Sequence, residues 1–417
     1  MFLVGWLALG AAASDLPDPQ LLMDLGLNAA AEHSTRVNAA AFGTPNIFTM
    51  NAWATTARAT GDDNYLLTYL RGPDAVWPEE ELDWVQWRMG RRLVLDGEYE
   101  AAIGYLVEVS GGDNASGARL YEGIARQRLD DTKAASKAFK ASMSAQDAHY
   151  GHALVGLAYS LLDEGRGDTS ETYWELASSP SEAVWARARV ELAWSQLEAG
   201  QFKTVLETIG PVLEASGQGS TWMPEADLLH VSAEGMQCRA TQAVQSRRAV
   251  RERYAPLRAA LADYLGEAPS ADQAYTDWIE GEPDTEELPQ GFYAHVRRNP
   301  ELEPHVARIA TIKKEKRGLS SKDWSASQRG LVIEGLDEDR AEARARAGLA
   351  TLTQLRDEMV RIDALLSALE SIRLGAGDST GLRASITLEG PPRIEWPFNG
   401  AWWQDPRFRP PTPRCRR

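Results

Sequence analysis

The residues of this chain that could do chemistry are few and scattered. His149 and His152 are the only near neighbours among six histidines. On a helix a three-residue step puts both imidazoles on one face, as in a metal-binding pair. No acidic or cysteine ligand stands at a supporting spacing, so the two read as surface residues at the entry to a helix. A phosphate loop, a dinucleotide glycine fingerprint and a Gly-x-Ser-x-Gly elbow are all absent from the sequence. The glycines of LGAGDSTG, residues 374–381, follow a helical stretch rather than a strand and read as a turn. Acid–base work would need a carboxylate whose surroundings raise its pKa, and neither Glu234 in EGMQ nor Glu370 in ESI has a sequence reason for such a pocket. No catalytic, cofactor-binding or metal-ligating set is assigned, and no cofactor is expected.

A net charge of −16 over 417 residues repels phosphate, and the one dense basic cluster, Lys313 to Arg317, contains Glu315, so nucleic acid is not an expected partner. The start, MFLVGWLALGAAASD, is a short apolar run ending in Ala11-Ala12-Ala13, which reads as a signal peptide over 1–13 and implies export. A buried N-terminal helix is the other reading of that run. No later segment is apolar for long enough to cross a membrane, which leaves peripheral membrane association open. The two cysteines, Cys238 and Cys415, are expected as thiols, with one disulfide the alternative in an oxidising compartment.

The elements that would have to position any site are helices. From about Trp84 to Leu261 apolar residues recur at three- and four-residue steps. Four turns line up, at Gly97, Asp130, Gly165 and Gly200, with spacings of 33, 35 and 35 residues. Gly90, Gly123, Ala158 and Ala193 hold a common small position. Ala102, Ala135, Ser170 and Val205 hold a second one, followed four residues later by Leu106, Phe139, Trp174 and Ile209. Period and residues resemble the tetratricopeptide repeat, a helix-turn-helix unit of about 34 residues. The resemblance implies an all-α helical-hairpin solenoid. A fifth unit follows, with Leu228, Leu229, Ala233, Cys238, Ala243 and Val250 as its apolar side.

The domain organisation expected is a signal peptide (1–13), an N-terminal helical cap (14–83), tetratricopeptide-like repeats (84–261), an acidic linker region (262–300), a helical coiled-coil segment (301–374) and an extended aromatic, Arg-rich tail (375–417). Within the coiled-coil segment Gly348, Leu352, Leu355, Met359, Ile362, Leu366 and Leu369 form a seam at alternating steps of four and three, and the expected partner is the helix around Leu302, Val306, Ile309 and Ile312. A second copy or another protein is the alternative.

The tail, with Trp396, Phe398, Trp402 and Trp403, has two readings. It closes the exposed end of the solenoid, or it docks on a partner, with Arg407, Arg409, Arg414, Arg416 and Arg417 suited to an acidic one. Its Trp396-Pro397-Phe398, Gly400, Trp403 and Asp405 resemble a tryptophan-rich C-terminal motif of exported tetratricopeptide proteins of gliding deltaproteobacteria, which implies an envelope-associated assembly, periplasmic or at the outer membrane. The function expected is a non-enzymatic scaffold that binds other envelope proteins through a repeat groove, with Arg91, Arg126 and Arg189 on the first helices as candidate groove residues, and through the tail. The alternative is a cell-wall-processing enzyme resembling lytic transglycosylases, some of which carry an exported helical solenoid. Their Glu-Ser pair precedes a Gly-Leu-Met-Gln stretch, whereas here EGMQ precedes ESI.

Overall fold

The computed structural model describes residues 16–42, 54, 57–58, 79–112, 114–178, 184–281, 288–319, 324–372, 394–395 and 402–403. It is all-α apart from one two-residue strand pair. Two helices come first, α1 (Pro19–Asp24) and α2 (Asn28–Phe42). Five hairpins follow: α3 (Glu79–Leu95) with α4 (Tyr99–Glu108), α5 (Ala115–Arg128) with α6 (Thr132–Met143), α7 (Tyr150–Asp163) with α8 (Gly167–Ala177), α9 (Trp185–Glu198) with α10 (Phe202–Gly217), and α11 (Pro224–Met236) with α12 (Ala240–Gly266). Then come α13 (Ala271–Tyr275), continued by a π-turn Thr276–Glu280, α14 (Gln290–Arg297), α15 (Glu303–Leu319) and α16 (Ala326–Ser371). Strands β1 (Ile394–Glu395) and β2 (Trp402–Trp403) pair antiparallel.

The five hairpins turn the same way. Gly97, Asp130, Gly165, Gly200 and Cys238 all sit in the left-handed region, with φ of 81°, 60°, 75°, 76° and 60°. The amide of the next residue reaches back to the carbonyl five residues earlier, as in Glu98 to Leu93 (2.8 Å), Asp131 to Arg126 (2.9 Å), Arg166 to Leu161 (2.9 Å), Gln201 to Gln196 (2.8 Å) and Arg239 to Glu234 (3.0 Å). This stop uses glycine where it can, because a Cβ is disfavoured there, and twice tolerates another residue. Cys238 therefore belongs to the exposed turn of the fifth hairpin, not to its apolar side. It is also disulfide-bonded, contrary to the expectation of a thiol.

Within each hairpin the small positions admit the large ones. A Cβ at Gly90 would lie 2.3 Å from Leu106 Cγ, and one at Gly123 2.6 Å from Phe139. Gly156 of the next hairpin presses on the same Phe139 ring, so one side chain locks two units together. Leu106, Phe139, Trp174 and Ile209 are all buried. Ser170 fills its small position by donating its hydroxyl to the Ala158 carbonyl (2.8 Å).

The 46-residue helix α16, about 69 Å long at 1.5 Å per residue, is the spine of the remainder. Its first part, through Val332 and Leu336, packs on Ile312 and Leu319 of α15 and on Leu22, Leu27 and Ala31 of the N-terminal helices. Its middle, Ala343 and Ala347, meets Leu302, Ile309 and Tyr275. At Gly348 the crossing with α13 is so close that a Cβ would sit 1.6 Å from the Ala271 carbonyl oxygen. The last part, Leu355, Ile362, Leu365 and Leu369, enters the core of the fifth hairpin with Leu229, Val250, Tyr254 and Leu257.

The seam is thus covered within the chain, but its partner differs from the expected one. The short α15 runs out beside the middle of α16, so the seam beyond Gly348 packs on the open face of the last hairpin, which a repeat array must cover. The open face of the last hairpin is covered by α16 together with Trp278 and Phe292, and the tail, one candidate for closing the array, lies largely outside the described residues. Trp278 also shows that the acidic stretch from Asp277 is not merely an exposed connection, because it places an aromatic ring in the core.

The N-terminal region divides its contacts. Ala54 and Ala57 pack on Trp84, Val85 and Met89 at the start of the array. Helices α1 and α2 instead join α15 and α16. The buried Glu315 carboxylate accepts from the first amides of α2, at Ala29 (2.8 Å) and Ala30 (3.1 Å). Arg308 bridges Glu32 (2.5 Å) and Asp339 (2.8 Å), and Arg36 and His33 close on Asp339 from the other side. These three partners hold the Asp339 carboxyl well below the usual carboxylate range, although burial alone would raise it.

Candidate functional site

A recess lies where the first helices of the third and fourth hairpins face the C-terminal helices. It is a cavity of about 500 Å³, a size typical of ligand sites. One wall carries His152, Val155 and Tyr159 of α7 with Trp185 and Arg187 of α9. His152, Val155 and Tyr159 step by three and four residues and so share one helix face. The opposite wall carries His295 of α14 and Thr353, Gln354 and Arg361 of α16, and Trp222 stands between the two.

The polar groups of the walls are tied to one another. On the α9 side Arg187 pairs with Glu191 (3.2 Å), and the Tyr159 hydroxyl lies in their field. Burial pushes the Glu191 carboxyl up, while Arg187 pulls it down. On the α16 side Glu358 is 2 % exposed and accepts three bonds: from Trp222 Nε1 (2.9 Å), from Arg361 Nη1 (3.0 Å) and at His295 Nε2 (3.0 Å). Burial would raise its pKa, but Arg361, His295 and Trp222 outweigh that and hold it at about 2. Arg361 also forks onto Glu225 of α11. His152 is an imidazole kept neutral, its pKa lowered to about 4, first by burial and second by His149.

Such a site can hold and orient. Its aromatic walls offer apolar contact, and Arg187, His295 and Arg361 in its lining are held by Glu191, Glu358 and Glu225. Glu370 lies outside it, exposed on the last turn of α16 and ion-paired with Arg251 at 3.3 Å. Glu234 is buried in α11 with His230 Nε2 at 3.4 Å. The two carboxylates of the enzyme alternative share no recess.

The candidate groove residues fall elsewhere. Arg91 donates to the Tyr121 hydroxyl (3.0 Å) and stacks on that ring, joining the first hairpin to the second. Arg126 pairs with Glu122 (2.8 Å) on its own helix. Arg189 donates to the Thr208 carbonyl (3.1 Å), binding α9 to α10 within one hairpin. None of the three lines the cavity. Two residues on a helix are about 200° apart, so Arg189 faces its hairpin partner while Arg187 faces the cavity. Trp396 and Phe398 lie outside the described residues, and Trp402 and Trp403 are placed only as the backbone of β2. Sequence reading missed Arg187, Glu191, Glu225, Glu358 and Arg361. The Arg187–Glu191 step of four was a visible signal, whereas Arg361 and Glu225 meet only through the fold.

Among the described residues no helix is long and apolar enough to cross a membrane, and no cluster of His, Cys, Asp and Glu is arranged to hold a metal. Compared with known protein families the chain matches none, and no curated protein is significantly similar to it.

Proposed function

We propose that this chain is a tetratricopeptide-like, non-enzymatic scaffold of the bacterial cell envelope, which holds a segment of a partner protein in the cavity between α7 and α9 on one side and α14 and α16 on the other. The observation that carries the reading is the lining itself: three aromatic rings, Tyr159, Trp185 and Trp222, beside Arg187, His295 and Arg361, each already paired with an acid. Apolar and aromatic anchors give affinity, and pre-formed ion pairs keep the walls rigid, so little ordering is required on binding. Export rests on the signal-like start, and the envelope setting on the tail's resemblance.

The test is a photo-crosslinking residue in place of Thr353, with purified protein presented to solubilised envelope. A crosslinked protein that disappears when Ala350→Trp fills the cavity supports the reading. Crosslinks that survive the filling, or that arise equally from position 306 on α15, refute it.

A further inference from the structure

Helix α16 changes character along its solvent face. Near its start the exposed residues include Glu334, Asp337 and Glu338, as expected of a surface helix in an acidic protein. From Ala341 to Ser367 the exposed residues are Ala341, Ala345, Leu349, Thr353, Arg356, Val360, Ala364 and Ser367, with a single charge among them. They recur at steps of four and three, directly opposite the buried Leu355, Ile362, Leu365 and Leu369. Leu349 and Val360 stand 58 % and 48 % exposed in the middle of this line. An isolated exposed leucine needs no explanation, but a charge-poor helix face some 40 Å long is the face of a covered helix.

Three observations name the cover. Cys238 is disulfide-bonded, and the only other cysteine in the sequence is Cys415. Cys238 lies nine residues before Arg247, which meets the point where the chain leaves α16. Helices α12 and α16 run antiparallel, shown by Arg258 on Asp363 (2.8 Å), Arg251 on Glu370 (3.3 Å) and Arg247 on the Ile372 carbonyl (3.2 Å), so the start of α12 lies next to the end of α16. Finally, β1 and β2 pair over two residues each, and a ladder that short does not persist in water without a surface beneath it.

We propose that residues 394–417 fold back along the exposed line of α16 from Leu349 to Ser367, fastened by a Cys238–Cys415 disulfide, so that the aromatic segment covers the helix that closes the array. Both ends of the intervening loop are then anchored at the same end of α16, and the 21 residues from 373 to 393 can span about 70 Å, ample to reach Leu349. The line passes Thr353 at the rim of the cavity, but the observations behind it do not rest on the partner held there.

The experiment uses the purified, oxidised full chain. Peptide mapping without reductant is expected to yield a Cys238–Cys415 peptide, and sedimentation a monomer. Amides of 394–403 are expected to exchange at least about tenfold more slowly than in Leu349→Glu/Val360→Glu, with α12 and α16 equally protected in both proteins. Leu349→Gln/Val360→Thr gives the same comparison with less charge, and Val306→Glu, an exposed site on α15, is expected to change nothing. The proposal is overturned by equal exchange of 394–403 in the wild type and the stripe variants, by a Cys238–Cys238 peptide, or by a dimer that the stripe variants dissociate, which would make a second copy the cover.

Discussion

Arg361 and Glu225, 136 residues apart in sequence, meet as a two-pronged ion pair in which Nε and Nη2 of the arginine lie 2.5 and 2.6 Å from the two carboxylate oxygens. The same guanidinium reaches Glu358, so one side chain fastens α16 to the fifth hairpin and completes one wall of the cavity.

Removing that guanidinium leaves two acids without their cation, one of them deeply buried. Arg361→Ala is expected to cost about 3–5 kcal/mol, because an uncompensated buried charge is far more costly than a lost exposed pair. Arg258→Ala, which breaks the solvent-exposed pair with Asp363, is expected to cost far less, because water screens such a pair. Urea unfolding of the two variants beside the wild type measures the contrast.

Among the contributions to the acid side of the stability profile, those of Glu358 and His152 fall in different pH intervals. The Glu358 pKa is depressed in the folded state, so its contribution is complete above its ordinary value of 4.5 and fades as pH falls toward about 2. His152 is depressed from 6.5 to about 4, so the unfolded chain binds the extra proton first and stability falls as pH drops through that interval. Unfolding free energy measured at steps from pH 7 to pH 2.5 should have a shallower upper slope in His152→Gln and a shallower lower slope in Glu358→Gln, with Asp339 supplying part of the slope that remains. Histidine NMR should show the His152 ring neutral at pH 5.5.

Close approach separates the glycines. Gly348→Ala sets a methyl against the backbone oxygen of Ala271, which no rotamer relieves, and is expected to cost about 3 kcal/mol or more. Gly104→Ala, inside α4 with nothing within 4 Å, is expected to stabilise by up to about 1 kcal/mol. Thermal unfolding of the two variants checks the order.

Glu315 acts as a distant cap for α2. Glu315→Ala is expected to weaken that helix by about 1–2 kcal/mol and to speed amide exchange over 28–42, leaving the hairpins between 84 and 261 unaffected. Exchange that rises across the whole chain instead would show that the N-terminal helices are not a separable unit.

The first four hairpins were legible in the sequence because each repeats the same local physics: a small residue under a large one, and a left-handed turn residue every 33 to 35 positions. Gly90 with Leu106 and Gly123 with Phe139 were readable as pairs. The seat of α16 was not, since a seam of Leu355, Ile362 and Leu369 states that something apolar covers it without saying what. The cavity was less legible still. Its strongest contacts, Arg361 with Glu225 and His295 with Glu358, join segments 136 and 63 residues apart, and no local pattern encodes such pairs.

Ala29 waits for Glu315 across 286 residues of chain. During synthesis the hairpins can close one after another as each emerges, since every one finds its partner within its own unit or the preceding one. Helix α2 has no such option. Its first amides meet Glu315, and its Glu32 and Arg36 meet Arg308 and Asp339, only once α15 and the start of α16 have left the ribosome, so these helices, made before the hairpins, are among the last to take their place.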